Sequence, residues 1–221
     1  MLPYTAPAAT LAQVHRVHDA LYVAELMASV PADGYHHVDP DTAMNCHTLD
    51  AAWHAAGAAV LAAEIVARGE VASAFCNVRP PGHHATRHEA MGFCFFNNVA
   101  VGIAHALAEC GVSRVALVDF DVHHGNGSED IFANDERVLM VSTFQRGLYP
   151  LSGEEALGPN SCNVPLEPRS GREALRDAVT RHWLPALEDF RPEMIFFSAG
   201  FDAHREDDMG RLGWVEADYT W

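Results

Sequence analysis

The stretch SRVALVDFDVHHGNGS (113–128) decides the fold, because it joins an apolar strand directly to a cluster of polar side chains. Its first part is a continuous apolar run, which is typical of a strand buried on both faces of a parallel sheet. Similar runs at 137–144 (RVLMVSTF) and 193–204 (EMIFFSAGFDAH) predict two further strands. Because helical stretches lie between them, we predict an α/β fold with a mostly parallel sheet and helices on both faces.

The N-terminal half contains helical and turn-rich segments. Residues 11–29 have apolar residues at helical spacing, with a break expected near 18–20. Residues 31–47 are polar and rich in turn formers, which predicts a long loop. An Ala-rich helix is predicted for 48–69, with Thr48 as its cap and a wide apolar face that would pack on a sheet.

Two more elements complete the predicted fold. The apolar run ASAFCNV (72–78) predicts a fourth strand. Ser170 and Glu173 form the pattern of a capping box that opens a helix running toward Phe190. Pro185 lies inside this helix, and we expect it to kink or split the helix there.

Length and hydropathy limit the protein class. A chain of 221 residues fits one α/β domain, and 49% hydrophobic residues with a mean hydropathy of −0.05 are typical of a globular protein. We read residues 1–10 as a flexible lead and 11–221 as a single domain. The N-terminus lacks the order of a signal peptide, and no uninterrupted apolar run is long enough to cross a membrane.

Charge and cysteine content limit the partners and the compartment. The chain has 14 basic and 30 acidic residues, a formal net charge of −16, which argues against nucleic-acid binding. An acidic surface suits a cationic substrate such as a basic peptide or a polyamine, although it equally serves solubility alone. The five cysteines have no CxxC spacing, so we expect free thiols in a reducing compartment, the cytoplasm.

Polar side chains follow two of the predicted strands where those strands end. Asp119, Asp121 and His123 alternate along the first, so all three would point to one side while the strand persists. Asp202 follows the other strand, and ligands collect at the carboxyl ends of parallel strands. Two carboxylates and an imidazole predict an open divalent metal site, with His124 turned away. Taken singly, the Asp-x-His motif would more often be a cap or a turn, and Asp202 could alternatively be a helix cap.

The segment RPPGHHATRHEAMGFCFFNN (79–98) carries adjacent histidines after a rigid turn. His83 and His84 beside a metal site suggest proton transfer, with Asp119 and Asn126 as candidate orienting acceptors. Of the three phenylalanines that follow, at least one could line an apolar tunnel. Phe95 and Phe96 are interpreted as core residues.

The motifs RPPGHHA, GFCFFNNVA, DFDVHHGNG and SAGFDAH, in this order, resemble the zinc-dependent histone deacetylases and acetylpolyamine amidohydrolases of the arginase–deacetylase superfamily. The resemblance runs from about residue 12 to the end, and the sequences of these motifs are most similar to those of bacterial class II-like members. It implies an amidohydrolase that removes acetyl or other acyl groups from lysine side chains or acetylated amines. The implied cofactor is Zn²⁺, and Fe²⁺ fits the same ligands.

The resemblance implies a role for each matched residue. His84 would be the general base and acid, His83 its electrostatic partner, and Asp119 and Asn126 the groups paired with them. The implied metal ligands are Asp121, His123 and Asp202. The implied substrate-binding residues are Gly92, Phe93, Tyr149 and Met209. A structural K⁺ site would involve Asp119, Asp121, His123 and Ser142.

The chain departs from the family pattern in its last part. A Gly-Gly-Tyr motif, whose tyrosine donates to the substrate carbonyl, is expected after a later strand and is absent from the ending GWVEADYTW. We therefore expect a fold that is incomplete relative to the family, with an exposed strand edge that could lead to homo-oligomerisation or to misfolding. Two alternatives stay open: a catalytically impaired metal-binding homologue, and a binuclear manganese ureohydrolase of the same superfamily.

Overall fold

The structure is a computed structural model that describes residues 2–221. It divides into two compact units, one up to Val112 and one spanning Ser113–Trp221. The predicted flexible lead and the predicted single domain over 11–221 stay predictions.

The first unit is mainly helical. Its helices are α1 Leu11–Val14, α2 Ala20–Ala28, α3 Thr48–Ala67 and α4 Asn98–Glu109, and its strands are β1 His36–His37 and β2 Ala43–Met44. The wide apolar face of α3, expected on a sheet, packs against α4. By length and composition alone α3 could span a membrane, but more than half of that stretch is buried within the protein, as in the core helix of a globular domain.

The predicted helix over 11–29 is broken near the expected position. The break separates α1 from α2, and Asp19 caps α2 by accepting hydrogen bonds from the amides of Leu21 and Tyr22. Because a capping aspartate takes non-helical backbone angles, the chain changes direction here. The prediction of the break is confirmed.

Three details of the first unit differ from expectation. The loop 31–47 contains the short antiparallel ribbon β1–β2. Thr48 does not cap α3, because its hydroxyl accepts from the Asn45 amide, while His47 occupies the cap position without a side-chain bond. Residues 72–78 are extended and mostly exposed, and they belong to no strand among the described residues. An apolar run without a pairing partner cannot form a sheet ladder.

Residues 6–9, part of the predicted lead, lie along α3. The Ala9 amide donates to the Trp53 carbonyl at 2.8 Å. A Cβ on Gly57 would lie 1.9 Å from the Pro7 carbonyl oxygen, so this close approach of two backbones requires glycine.

The second unit contains a four-stranded parallel sheet flanked by helices, which confirms the predicted fold class. Its strand order is β5-β4-β3-β6, and every neighbouring pair is parallel. The strands are β3 Val115–Asp119, β4 Val138–Gln145, β5 Ser161–Leu166 and β6 Met194–Ser198. The helices are α5 Asn126–Phe132, α6 Arg172–Ala178, α7 Leu184–Phe190 and α8 Glu216–Thr220, with one π-helical turn at Val179–Trp183.

The two edge strands differ from the central pair. β3 and β4 are buried throughout, as their continuous apolar runs predict. β6 was predicted to be buried in the same way, but it lies at the sheet edge with Ile195 and Phe197 exposed. β5 was not predicted, because its sequence SCNVPL is not a continuous apolar run. Pro165 is tolerated there because an edge strand needs to donate hydrogen bonds on one side only.

The helix predicted to begin at Ser170 begins at Arg172 instead. The interruption predicted near Pro185 is confirmed. Gly171 is at the cap position and makes no side-chain bond, so the capping box of Ser170 and Glu173 is wrong. The π-helical turn immediately precedes α7, whose first turn contains Pro185. Proline lacks the amide that an interior helical residue donates, and the wider turn absorbs that missing bond.

His18 is a buried side chain that connects two distant backbone segments of the first unit by hydrogen bonds, at Thr86 and at Asn97. The Asn97 amide donates to its Nε2 at 2.9 Å, so the ring proton is on Nδ1, which donates to the Thr86 carbonyl at 2.8 Å. Burial lowers the pKa of His18 to about 4, more than the bond to Thr86 raises it. The fold therefore holds this imidazole in its neutral form.

We predict that acid destabilises the protein through His18. Its pKa is depressed in the folded state, so above pH 6.5 the residue is neutral in both states and carries no penalty. Between pH 6.5 and about 4 the unfolded state alone binds a proton, and the free energy of unfolding should fall by about 1.4 kcal/mol per pH unit from this residue. Chemical denaturation across this range measures it.

His18→Gln should be less stable at neutral pH and should lose this part of the pH dependence. His15→Gln, at a neighbouring exposed position, is the matched control and should follow the parent protein. An unchanged pH slope in His18→Gln would show that another group carries the effect.

Candidate active site

The end of β3 is shaped by two aspartates that bond to the backbone just beyond them. Asp119 Oδ1 accepts from the Asp121 amide at 3.1 Å, and Asp121 Oδ1 accepts from the His123 amide at 2.8 Å. β3 ends at Asp119, so strand alternation does not place Asp121 and His123, contrary to the sequence-based expectation. Successive aspartate turns place them instead.

Asp121, His123 and Asp202 come together as one group of potential metal ligands. One ligand atom from each lies within 4.8 Å of the other two. His123 Nδ1 lies 2.9 Å from Asp121 Oδ1 and 3.1 Å from Asp202 Oδ2. The other oxygen of Asp202 accepts from the Val122 amide at 3.0 Å, which fixes this carboxylate against the β3 end.

The charge at this group is that of two carboxylates around one imidazole. Burial lowers the pKa of His123, but the hydrogen bonds and charges of Asp121 and Asp202 outweigh it and raise the pKa to about 9. The two carboxylates that face the ring nitrogen thus favour a positive charge between them. Such a set, with mixed oxygen and nitrogen donors, fits a divalent ion of the zinc or ferrous type.

Gly200 keeps space open beside the ligand group. A Cβ at this position would lie 2.1 Å from Asp121 Oδ2 and 2.8 Å from the Asp121 Cα. A larger residue at position 200 would therefore displace the Asp121 carboxylate, and because it would also meet the Asp121 backbone, a rotation of the side chain alone would not relieve the clash. The cradle and the donor chemistry together show that the residues present fit a metal ion.

Two other predicted residues lie on the central strands, Asp119 at the end of β3 and Ser142 within β4. Asp119 and Ser142 are paired across β3 and β4, and both are buried. Ser142 Oγ donates to Asn163 Oδ1 at 3.2 Å, and the Ser142 carbonyl accepts from the Trp183 indole at 3.4 Å. Their predicted K⁺ site stays a prediction.

The paired histidines are buried in the first unit. The ring centroids of His83 and His84 are 4.0 Å apart, and both side chains follow the Pro-Pro-Gly turn. A Cβ on Gly92 would lie 2.4 Å from His84 Cδ2, so the Gly92 backbone lies directly against the His84 ring. The predicted pairing of His83 with Asp119, and of His84 with Asn126, stays a prediction.

Phe93 takes a backbone conformation that is uncommon for a bulky residue. Met91 and Cys94 exchange two backbone hydrogen bonds, and the two residues between them, Gly92 and Phe93, have φ values of 56° and 67°. This is the pattern of a tight hairpin turn, and left-handed φ at a non-glycine residue is costly, on the order of 1–3 kcal/mol. The Phe93 amide donates to the buried Thr42 hydroxyl at 3.0 Å.

This turn leaves the Phe93 side chain 44% exposed while its neighbours are buried. Phe95 and Phe96 are core residues, as interpreted from the sequence. A phenylalanine held outward by a strained turn can present a flat apolar face to a ligand. Thr42 is therefore a site-supporting residue that sequence reasoning missed, because it lies 51 positions away from Phe93.

The remaining predicted residues lie in the second unit. The Tyr149 ring stands edge-on to the His123 ring, with centroids 6.3 Å apart. Met209 is exposed, and its amide donates to Asp207 Oδ1 at 2.9 Å. Tyr219, which was not predicted as a site residue, donates its hydroxyl to the Phe201 carbonyl at 3.0 Å. Of these, Tyr149 is next to the metal-ligand group.

His124 is turned away from the ligand group, as expected, and has a buried partner that the sequence did not indicate. Its Nε2 lies 2.9 Å from Glu129 Oε2, and both side chains are almost fully buried. The glutamate of α5, five positions after the histidine, is the only local signal for this pair.

We predict that Thr42→Val destabilises the fold by about 1–2 kcal/mol, because the Phe93 amide loses its acceptor in a partly buried place. Thr42→Ser keeps the hydroxyl and should be close to the parent protein. Urea denaturation of the three proteins makes the comparison. Equal stability of the valine and serine variants would contradict a role for this hydrogen bond.

The comparisons with known proteins agree on one family. The family described as "Histone deacetylase domain" matches this chain over residues 1–221. The histone deacetylase-like amidohydrolase of Pseudomonas aeruginosa is 41% identical over 215 residues, which cover 94% of this chain and 56% of that protein. The crystal structure of the HDA15 HD domain matches with a TM-score of 0.92 and 33% identity, over 99% of this chain and 66% of that one.

A second solved structure, the acetylpolyamine aminohydrolase from Burkholderia pseudomallei, matches with a TM-score of 0.83 and 28% identity, over 94% of this chain and 71% of that one. The chain thus spans between 56% and 71% of the length of these three proteins. The resemblance predicted from the four motifs is confirmed, and this chain belongs to the histone deacetylase domain family.

Proposed function

We propose that the chain is a metal-dependent amidohydrolase that removes acetyl or other acyl groups from amines. The observation that carries the proposal is the group of Asp121, His123 and Asp202, assembled at the carboxyl ends of two parallel strands in a deacetylase-family chain. The names of the relatives, an amidohydrolase and an acetylpolyamine aminohydrolase, support the same reaction class.

The three ligands would hold a zinc ion. When bound, such an ion polarises the amide carbonyl and makes the attacking water more acidic. The two aspartates offset its charge, and Gly200 leaves room on the side of Asp121. Ferrous iron is the competing ion, because carboxylate and imidazole ligands accept both.

His84 would take the proton from the attacking water and return it to the leaving amine. A buried imidazole, fixed by the Pro-Pro-Gly turn and the Gly92 backbone, suits this task because a general base must be held in place. His83 would stabilise the charge that His84 gains, with Asp119 and Asn126 orienting the two rings. Gly92 would accept the substrate amide proton through its carbonyl.

The substrate would be an acylated lysine side chain in a peptide, or an acetylated polyamine. Phe93 and Tyr149 would form the apolar walls around its methylene chain, and Met209 would lie at the rim. An apolar rim residue favours acyl-lysine peptides over polyamines. The net charge of −16 suits either cationic substrate and disfavours nucleic acid.

The competing function is a metal-holding homologue with impaired catalysis. Between Asp202 and Trp221 the chain has no Gly-Gly-Tyr, and the hydroxyl of Tyr219 is bonded to the Phe201 carbonyl. The loss of a preorganised donor to a developing oxyanion lowers rates by about 10²–10³. Activity measurements on the metal-loaded protein separate the two functions.

Two further assignments complete the proposal. Asp119, Asp121, His123 and Ser142 would hold an internal K⁺. A cytoplasmic location would agree with the cysteines, because no disulfide links any of the five.

We predict one zinc or iron ion per chain in the parent protein and none in Asp121→Ala, because that variant removes a carboxylate that faces His123. Elemental mass spectrometry on purified protein gives both the count and the metal. Asp189→Ala, at an exposed position remote in sequence from the ligands, is the control and should keep the ion. Stoichiometric metal in Asp121→Ala would refute the ligand assignment, and two manganese ions would favour the ureohydrolase.

We predict that the metal-loaded chain releases acetate from acetyl-lysine peptides, and that His84→Ala lowers kcat at least about 100-fold, the usual contribution of a general base. His88→Ala, in the exposed part of the same segment, should keep the parent rate. Peptides and acetylpolyamines should be assayed in parallel to rank the substrates. A folded, metal-loaded parent protein without activity would favour the impaired homologue.

A further inference from the structure

The buried carboxylate of Glu129 bonds to His124, the residue after His123, and takes no part in the proposed chemistry. The side chains of His124 and Glu129 are each 1% exposed, and His124 Nε2 lies 2.9 Å from Glu129 Oε2. His124 Nδ1 is buried without a hydrogen-bond partner among the described residues, so Nε2 is the ring nitrogen that this side chain uses. His124 Nε2 donates to the Glu129 carboxylate.

The second oxygen of Glu129 reaches the loop between β4 and β5. Oε1 accepts from the Leu157 amide at 3.2 Å and from Asn163 Nδ2 at 2.9 Å. Asn163 Nδ2 also donates to the Gly153 carbonyl at 3.0 Å. Burial raises the pKa of Glu129, but the hydrogen bond and charge of His124, followed by the bonds from Leu157 and Asn163, hold that pKa below its usual range. One carboxylate therefore ties the loop at Leu157 and, through Asn163, at Gly153.

The loop also sits on the His124 ring. A Cβ on Gly153 would lie 2.6 Å from His124 Cγ, so the loop backbone and the ring are in direct contact. Gly153 has φ +94°, a conformation that favours glycine. The opposite contact of the ring is Phe144, at 4.7 Å between centroids. The ring thus fills the space between β4 and the loop.

Apolar burial holds the start of this loop but not its middle. Leu148 packs against the buried cluster that contains Val122 and Trp214, whereas Leu151 and Leu157 are 79% and 62% exposed. The ion pair between Arg146 and Glu154 is on the surface, and exposed pairs contribute little, with a median of about 0–1 kcal/mol. In the middle of the loop, over residues 151–157, the contacts to Glu129, Asn163 and His124 are the buried ones that order the chain.

We propose that Glu129 is a positioning residue that fixes Tyr149 beside His123. Tyr149 lies on the tied loop, four residues before Gly153, and its ring stands edge-on to His123. His124 follows the ligand His123 directly, so the same pair joins the ligand-bearing turn to the loop. This inference rests on the proposed function for the role of Tyr149 as a substrate wall.

The test places a single 3-fluorotyrosine at position 149 of the full chain and records its fluorine NMR spectrum. In the parent protein we expect one narrow resonance, because the loop is tied at two points. In Glu129→Ala we expect a shifted, broadened or split resonance, and amide exchange in residues 151–157 faster by about fivefold or more, since the Leu157 amide loses its acceptor.

Glu129→Gln is the conservative variant and should restore most of the parent spectrum, because its carbonyl can still accept from Leu157 and Asn163. Glu155→Ala, an exposed carboxylate in the same loop, is the matched control and should leave the spectrum unchanged. If Glu129→Ala does not fold, Asn163→Ala decides, because it removes the Gly153 tie and leaves the His124–Glu129 pair.

A parent-like resonance and parent-like exchange in Glu129→Ala, or in Asn163→Ala where the first variant does not fold, would overturn the proposal. If the chain hydrolyses acyl-lysine, Glu129→Ala should raise KM about tenfold and change kcat by less than about threefold, since Tyr149 contacts substrate and not the reacting bond. The fluorine result does not need activity. An inactive parent whose resonance still responds would refute the proposed function and retain the positioning role.

Discussion

Two short hydrogen-bonded turns at the end of β3 are the constraint on which the candidate site depends. Asp119 and Asp121 each bond to the backbone amide two residues ahead, so the chain leaves the strand in a fixed direction. As a consequence, the two neighbouring histidines point to different places: His123 faces the carboxylates and His124 faces the interior. A change in either turn would move both imidazoles together.

The sheet also brings Asp202, which follows β6, to the end of β3. β3 and β6 are parallel neighbours, with Asp119 opposite Ser198, and the Phe120 amide donates to the Ser198 carbonyl at 3.3 Å. Just beyond, Asp202 Oδ1 accepts from the Val122 amide at 3.0 Å. The ligands from two strands are therefore connected by hydrogen bonds to backbone before any ion binds. This is preorganisation, in which the folded chain bears the cost of bringing like charges close.

Sequence reasoning succeeded where a feature is local or repeated in a motif. The apolar runs of β3 and β4 gave buried central strands, the break between α1 and α2 lay where expected, and Asp121, His123 and Asp202 came together. It failed where the outcome depends on distant partners. β5 is a strand because β4 supplies its ladder, whereas 72–78 is the more apolar segment and pairs with no strand among the residues described. Glu129 and Thr42 support the site through contacts that no spacing rule links to it.

The edge strand β6 has a consequence for how the protein behaves in solution. It presents Ile195 and Phe197 to solvent on a strand that is paired on one side, which is a surface that favours self-association. The formal charge of −16 opposes this by mutual repulsion between molecules. Dissolved ions shorten the range of that repulsion to about 10 Å at 0.1 M and leave the apolar attraction intact. Rising ionic strength therefore weakens the repulsion that opposes contact between two copies of this strand.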